Sequence, residues 1–598
     1  MCTVDYEIQA VPLAMPLWKR KVGQFLEANR LRLDALDYYA IVTRRESDEI
    51  LAGGGLQGDI VKCIAVGEQL RDEHISNRLI SHLMSEAAQR GFQSVKVFTK
   101  PQNRQIFESL GFRVVGEAPL AILMENGRGI ERYVESLRNT HHRPLPLQGE
   151  QGGGFHPSPT TGVIVMNANP FTRGHEYLVK EVTQQVEHLF VIPVKEDKSL
   201  FSYAERKAMM ESACQPFENV TVCEGSDYAI SAATFPTYFL KKLDDAAETQ
   251  MRLDLDIFKR HIAPALGATI RFVGSEPEDA LTHRYNELMR ETLPEVREIE
   301  RLKENGEAVS ASKVRKALEN GDFQRAASLV PPTTIPYLLA QLAVNALQQE
   351  LDTTPKPGLI DQNDNGAHSD MNYALMRRSI AALRPYFVKL AVEGFQKDLP
   401  TVGKLQKIGL EAEKAMLEAT KGVNTHKGAL FALGLALVAA ANNIYHLQFN
   451  SLGNQPKKLQ ETVGKLAAQF PETADTHGSR VVSEHKVKGA LAMAREGYET
   501  LFADWLPFLK SLGNDPFARH KMLLRIMATL DDTNVYHRKG ADAVARMKAD
   551  STALISNFES RKLEQLNQDY NAQGISPGGS ADMLALTIFF YSIITYIT

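Results

Sequence analysis

The chain has 598 residues and a net charge of −4, from 68 Lys and Arg against 72 Asp and Glu, which excludes the basic surface of a general nucleic-acid binder. At roughly 100–200 residues per domain this length calls for three or four domains, and 44% hydrophobic with 23% charged residues is the composition of ordinary folded domains. Cys2, Cys63, Cys214 and Cys223 have neither metal-ligand spacing nor the density of a disulfide scaffold, so a reducing, cytoplasmic setting is expected.

The opening residues lack a basic stretch followed by an apolar run, so no signal peptide is expected. β-rich runs at Tyr38–Thr43 and Ile60–Val66 flank Gly53-Gly-Gly55, which reads as hairpin punctuation. Ile75, Leu79, Ile80 and Leu83 then share one face of a helix running to about Arg90. A strand at Val95–Phe98, a helix from Asn103 to Leu110 and a strand at Gly111–Val115 follow. This order, ending in Phe107-Glu-Ser-Leu-Gly-Phe112, resembles a GNAT acetyltransferase-like domain over residues 1–140. The resemblance implies an α+β fold, with a turn for the pyrophosphate of acetyl-CoA at Arg71–Ser76. His74 and Ser76 stand where small residues would let backbone approach the ligand, so a structural or partner-docking module is the expected role. Residues 141–160, with Gly152–Gly154, Pro157 and Pro159, read as a linker.

From 161 to 335 strands alternate with helices: Val163–Met166, a helix from Gly174, Leu189–Val194, a helix from Tyr203, Val220–Cys223 and Ile270–Val273. Such alternation predicts an α/β domain around a parallel sheet. The first strand runs into Asn167-Ala-Asn-Pro-Phe-Thr-Arg-Gly-His175. A helix N-terminus there offers free amides to phosphate, Gly174 permits close approach, and His175 is a donor in the first turn. A second basic turn, Val309-Ser-Ala-Ser-Lys-Val-Arg315, opens another helix, with Ser310 or Ser312 as cap and Lys313 and Arg315 as countercharges for triphosphate.

The pair of turns resembles those of the nucleotidyltransferase superfamily. With Glu196–Phe201, Phe272–Pro277 and Tyr285–Glu287, residues 25 to 335 resemble citrate lyase ligase. The resemblance implies that acetate attacks the α-phosphate of ATP, pyrophosphate leaves, and acetyl-AMP acetylates the prosthetic-group thiol of the citrate lyase acyl-carrier subunit. His175 and Arg315 would be catalytic, Asn169, Thr172, Gly174, Ser312 and Lys313 would hold ATP, and Mg²⁺ would bridge its phosphates.

From 336 to 598 β-rich segments vanish and Ala- and Leu-rich helices alternate with polar loops, which predicts an all-α domain. The apolar runs Gly428–Ala441 and Met583–Thr598 fall short of the ~20 residues that cross a bilayer, so buried helices are expected and no membrane. Pro355-Lys-Pro-Gly presents Lys356; Asn424-Thr-His-Lys-Gly428 offers amides, His426 and Lys427 at a helix start. Asp531, Asp532 and Asp582 supply hard oxygens suited to Mg²⁺, and Gly578, Gly579 and Ser580 form another helix-opening turn.

These clusters, with Asp361, His368 and Asp370, resemble triphosphoribosyl-dephospho-CoA synthase. There the ribose 2′-hydroxyl of 3′-dephospho-CoA attacks C1′ of ATP, and adenine leaves. By the resemblance Asp361, Asp370, Asp532 and Asp582 serve metal, base or cation-stabilising roles, while Lys356, His368, His426 and Lys427 engage phosphates. The family's Arg and Glu after Thr476-His-Gly478 are replaced by Leu491 and Met493, with Arg495 and Glu496 as substitutes close by. The whole chain is therefore expected to be a bifunctional enzyme of citrate lyase maturation, using ATP, acetate, 3′-dephospho-CoA and the acyl-carrier subunit. A degenerate half kept as a docking scaffold for the lyase complex is the other reading.

Overall fold

The computed structural model describes residues 6–44, 49–68, 75–140, 160–195, 199–229, 243–276, 279–447, 455–471 and 477–597, and the chain divides into two compact units, Met1–Val309 and Ser310–Thr598. Most of the expected linker and the Arg71–His74 part of the acetyl-CoA turn lie outside the described residues.

The first unit holds two sheets. Strands β1 (Tyr6–Ala10), β2 (Tyr38–Arg44), β3 (Ala52–Gln57), β4 (Ile60–Val66), β5 (Ser94–Thr99), β6 (Arg113–Ala118) and β7 (Ala121–Gly127) form a sheet in the order β1-β2-β3-β4-β5-β7-β6. All neighbours are antiparallel except β4 and β5, which pair parallel only through Ile60–Lys96 and Val61–Val97. Gly53–Gly55 are not a turn, as their composition predicts; they lie inside β3. A Cβ at Gly53 or Gly55 would meet the Tyr39 ring, and one at Gly54 would meet Leu79 and Leu83 of α1 (Ile75–Gln89). The three glycines thus make room for an aromatic side chain on one face of the strand and a helix on the other. The turn itself falls at Gly58, where φ is +56°.

The second sheet is wholly parallel, in the order β10 (Val220–Val222), β9 (His188–Pro193), β8 (Thr161–Met166), β11 (Ile270–Gly274) and β12 (Val296–Ile299). Successive strands run outward from β8 in one direction, then resume beside it in the other. The carboxyl end of β8 is therefore the switch point where ligands bind in open α/β sheets. Both sheets share one apolar core, in which Leu123, Val163, Phe190 and Leu253 are all fully buried. Polar ties reinforce it: the Glu117 amide donates to Asp256 at 2.7 Å, and the Tyr228 hydroxyl to Glu125 at 2.7 Å.

Among its described residues the second unit is entirely helical. Its centre is the apolar helix of residues 427–447. That helix is the one among the described residues long and apolar enough to cross a membrane, and 83% of its apolar window is buried in the fold. Helices at Ile335–Leu351, Tyr373–Gly394 and Gly578–Ile597 pack around it. At the closest crossing a Cβ on Gly394 would stand 2.6 Å from the Val438 carbonyl oxygen. Gly394→Ala is expected to force these helices apart, destabilise the unit by about 1–3 kcal/mol, and lower its unfolding temperature; an unchanged melt would show that the crossing can relax.

Candidate active sites

In the first unit β8 ends at Met166, and the chain turns through Asn167–Phe171 into α2 (Arg173–Thr183). Thr172 caps this helix, its hydroxyl accepting the His175 amide at 3.4 Å, while its own amide donates to His175 Nδ1 at 3.0 Å. Because Nδ1 accepts, the proton of the neutral ring must sit on Nε2. Burial, and then the nearby Arg301 charge, push His175 down to about 4. At neutral pH it is therefore an uncharged Nε2–H donor, not the charge-neutralising cation a phosphate motif invites one to expect. Gly174 is required by proximity, since a Cβ there would lie 2.9 Å from the Val309 carbonyl oxygen.

Two neighbours of this turn serve the scaffold. The Asn169 side-chain oxygen accepts the Phe201 amide at 3.1 Å. Arg206 on α3 (Tyr203–Cys214) is fully buried. Its guanidinium donates to Asn167 O, Asn167 Oδ1, Val194 O and Phe201 O at 2.7–3.1 Å, tying together the strand ends around the turn. In the second unit α4 (Ala311–Glu319) is capped by Ser310, whose hydroxyl accepts the Lys313 amide at 3.4 Å. Ser312 is exposed, and Lys313 and Arg315 are half-buried.

The second unit gathers ionisable groups at one end of its central helix. From α5 (Ile335–Leu351), Glu350 forms a buried ion pair with Lys356. The Lys356 amide donates to Asp361 at 3.0 Å, and Asp361 also accepts from Asn363 and Asp364, so that carboxylate shapes the loop. His368 Nε2 lies 2.8 Å from the Ser576 hydroxyl, and its Nδ1 is 3.7 Å from Asp370. At the start of α7, Asn424 Oδ1 accepts the Lys427 amide at 3.3 Å, and the exposed Lys427 ammonium pairs with Glu413 at 2.6 Å. Here α6 and α7 denote Tyr373–Gly394 and Lys427–Leu447.

His426 is 97% buried; its Nδ1 lies 2.7 Å from Ser379 Oγ of α6, and among the described residues its Nε2 has no hydrogen-bond partner. Burial, then the Lys356 charge, drive it to about 3, so the ring is neutral. Asp582 accepts the Ala429 amide at the start of α7, and a Cβ on Gly428 would collide with its carboxylate. Burial, Glu350 and Asp532, in that order, raise Asp582 well above the ordinary carboxylate range.

Asp532 caps α8 (Thr533–Lys539) through the Asn534 and Val535 amides, and accepts the Gly579 amide, the Ser580 amide and the Ser580 hydroxyl at the start of α9 (Gly578–Ile597). The donors expected to take phosphate at Gly579 and Ser580 are thus already engaged by a carboxylate. Asp531 faces away into an ion pair with Lys548 at 2.7 Å. Asp531 thus has a different partner from those of Asp532 and Asp582, and among the described residues no group of three or more potential metal ligands is assembled. Arg495 donates to Phe470 O at 2.8 Å, and Glu496 pairs with Lys488. Sequence reasoning did not find Glu350, Ser379 or Tyr498; the Tyr498 hydroxyl is buried without a partner among the described residues, and its ionisation is opposed by burial and then by Asp582.

The two halves define a fused pair of nucleotide-using enzymes, a ligase and a glycosyl transferase. The family described as citrate lyase ligase C-terminal domain matches residues 161–338, and ATP:dephospho-CoA triphosphoribosyl transferase matches residues 336–597. The [citrate [pro-3S]-lyase] ligase of Escherichia coli is 37% identical over 330 residues, 53% of this chain and 89% of its own length. The 2-(5''-triphosphoribosyl)-3'-dephosphocoenzyme-A synthase of Haemophilus ducreyi is 32% identical over 286 residues, 43% of this chain and 88% of its own. A solved structure of a putative N-acetyltransferase from Lactobacillus plantarum aligns with 20% of this chain and 97% of its own at 16% identity and a TM-score of 0.18. The chain belongs to the citrate lyase ligase family in its N-terminal part and to the triphosphoribosyl-dephospho-CoA synthase family in its C-terminal part.

The two depressed histidines make a pH prediction. Below about 6.5, the ordinary histidine value, the unfolded chain takes up protons that folded His175 and His426 refuse. Their contribution to stability is therefore complete above that pH and lost as pH falls towards 4 and below. Histidine proton resonances followed by NMR should show both rings untitrated from pH 8 to about 5; titration of either near 6.5 would contradict the burial described.

Proposed function

We propose that the chain is a bifunctional cytoplasmic enzyme of citrate lyase maturation. In one reaction an acetate oxygen attacks the α-phosphorus of ATP, pyrophosphate leaves, and the acetyl group of acetyl-AMP passes to the prosthetic-group thiol of the acyl-carrier subunit. His175 supports this reading most directly: its Nε2–H projects from the helix start that follows the switch-point strand, where a phosphate oxygen gaining charge can accept it. Ser312, Lys313 and Arg315 are assigned to the same reaction by the resemblance of their turn. Mg²⁺ would arrive on the ATP phosphates, which need few protein ligands to hold it.

In the other reaction the 2′-hydroxyl of 3′-dephospho-CoA attacks C1′ of the ATP ribose. The C1′–N9 bond breaks, and adenine departs with, in net terms, the hydroxyl proton. The Glu350–Asp582–Asp532 cluster supports this reading. Asp582, whose proton is held more tightly by burial and like charge, is suited to protonate the leaving purine. Glu350 provides a buried carboxylate against positive charge on the sugar. Leu491 and Met493, which stand where the family carries Arg and Glu, motivate a second reading, in which this half only docks the lyase complex.

Two assays separate the possibilities. The purified chain should release adenine from ATP with dephospho-CoA, and pyrophosphate from ATP with acetate. His175→Ala is expected to lower the second rate by about 100–1,000-fold and leave the first intact, with Asp582→Asn doing the reverse. Absence of adenine release from the wild type would establish the docking reading, and equal loss of both activities in His175→Ala would overturn the two-site assignment.

A further inference from the structure

Ser379 and Thr425 belong to none of the groups assigned above, yet they determine what His426 can do. The Thr425 hydroxyl donates to Ser379 Oγ at 2.6 Å, and Ser379 Oγ lies 2.7 Å from His426 Nδ1. Ser379 is fully buried, and among the described residues its own proton has no other recorded acceptor, so it is directed at Nδ1. The chain of hydrogen bonds therefore runs Thr425 to Ser379 to His426, which leaves the ring proton on Nε2. That Nε2–H is buried at the start of α7 without a partner among the described residues, a condition native proteins rarely tolerate unless a ligand, water or ion supplies the acceptor.

The surrounding charge indicates which acceptor. Lys356, the cation nearest to it in effect, is already neutralised by its buried pairing with Glu350. The adjoining helix start is occupied by the Asp582 carboxyl. A neutral donor in a setting with no spare positive charge is poorly matched to a triphosphate and well matched to an uncharged acceptor. We infer that the Thr425–Ser379 relay fixes His426 as an Nε2–H donor to the nucleoside part of ATP, through the ribose 3′-hydroxyl or purine N7, and not to its phosphates. Ser379 and Thr425 are positioning residues, and His426 is the contact. The inference rests on the transferase reading of this unit.

The test compares ATP with 3′-deoxy-ATP and 7-deaza-ATP as substrates for adenine, or deazaadenine, release in the full chain. Wild type should use one of the analogues about 10–100-fold less well in kcat/KM than ATP. Ser379→Ala, which removes only a hydroxyl, should lose a similar factor with ATP while its discrimination against that analogue falls towards one. Thr425→Val should move both quantities in the same direction by less, and guards against misfolding of the first variant. A folded Ser379→Ala whose discrimination equals that of wild type would overturn the inference, as would a wild type that accepts both analogues as well as ATP. The tautomer is read independently of turnover from histidine ¹⁵N shifts: Nε2–H in wild type and a mixture in Ser379→Ala support the relay, and Nδ1–H in wild type overturns it. An inactive wild type that shows the Nε2–H tautomer would thus count against the transferase reading and not against the relay.

Discussion

The C-terminal cluster depends on one buried carboxylate. Asp532 accepts five hydrogen bonds from the starts of two helices, which fixes α8 and α9 against each other at one end of the bundle. Such an arrangement needs a fully enclosed acceptor with four amide donors and a hydroxyl around it, so the glycines at 578 and 579 follow from it. A Cβ on Gly578 would approach the Asn534 side-chain nitrogen Nδ2 to 2.9 Å, and one on Gly579 would approach Asp532 to 3.1 Å. With α9 so anchored, Asp582 is carried to the first turn of α7, against Gly428. Its ionisation is then opposed by burial first, and after that by Glu350 and Asp532. The structural carboxylate thereby adds to the effect that burial begins at its neighbour.

Both halves of the chain treat their key histidine alike. In each, Nδ1 is satisfied from within the fold, by the Thr172 amide for His175 and by Ser379 for His426. In each, burial is the largest cause of a depressed titration, with a cation second: Arg301 in one case and Lys356 in the other. The result in both is a directional donor that carries no charge at neutral pH. Such a donor can favour one geometry of a reacting nucleotide without attracting bulk anions, a property of use where several phosphates compete for any free cation.

What was legible in the sequence was periodicity and local chemistry. The alternation of strand and helix from 161, the Thr172 and Gly174 turn and the wholly helical character beyond 336 follow from spacing and from residue types that act within a few positions. What was not legible depends on partners distant in sequence. Gly53–Gly55 resemble a turn until Tyr39, Leu79 and Leu83 are seen against them. Arg206 looks solvated on its helix, yet its four acceptors come from residues 167, 194 and 201. Glu350 sits near the end of an otherwise apolar helix; the one local hint is a lone acid between Leu347 and Leu351, and its partner Lys356 lies across a loop. Ser379 is a small residue in the middle of a helix and gives no local signal at all.

The same geometry constrains where a triphosphate can lie in the second unit. A helix start is a phosphate site only while its amides are free. At α7 the Ala429 amide is taken by Asp582 and the Lys427 amide by Asn424; at α8 and α9 Asp532 takes the leading donors. Adding polyphosphate to these positions would place it against carboxyl groups, which repel it when ionised. On the reading proposed above, the aspartates and His426 would face the parts of a nucleotide that carry no charge. The phosphate chain would be left to cations such as exposed Arg538, whose charge is felt by His368. A sugar carbon placed inside and its phosphates outside would be exposed to attack at C1′ while the anhydride bonds stay away from the acids, consistent with cleavage at the glycosidic bond and survival of the triphosphate.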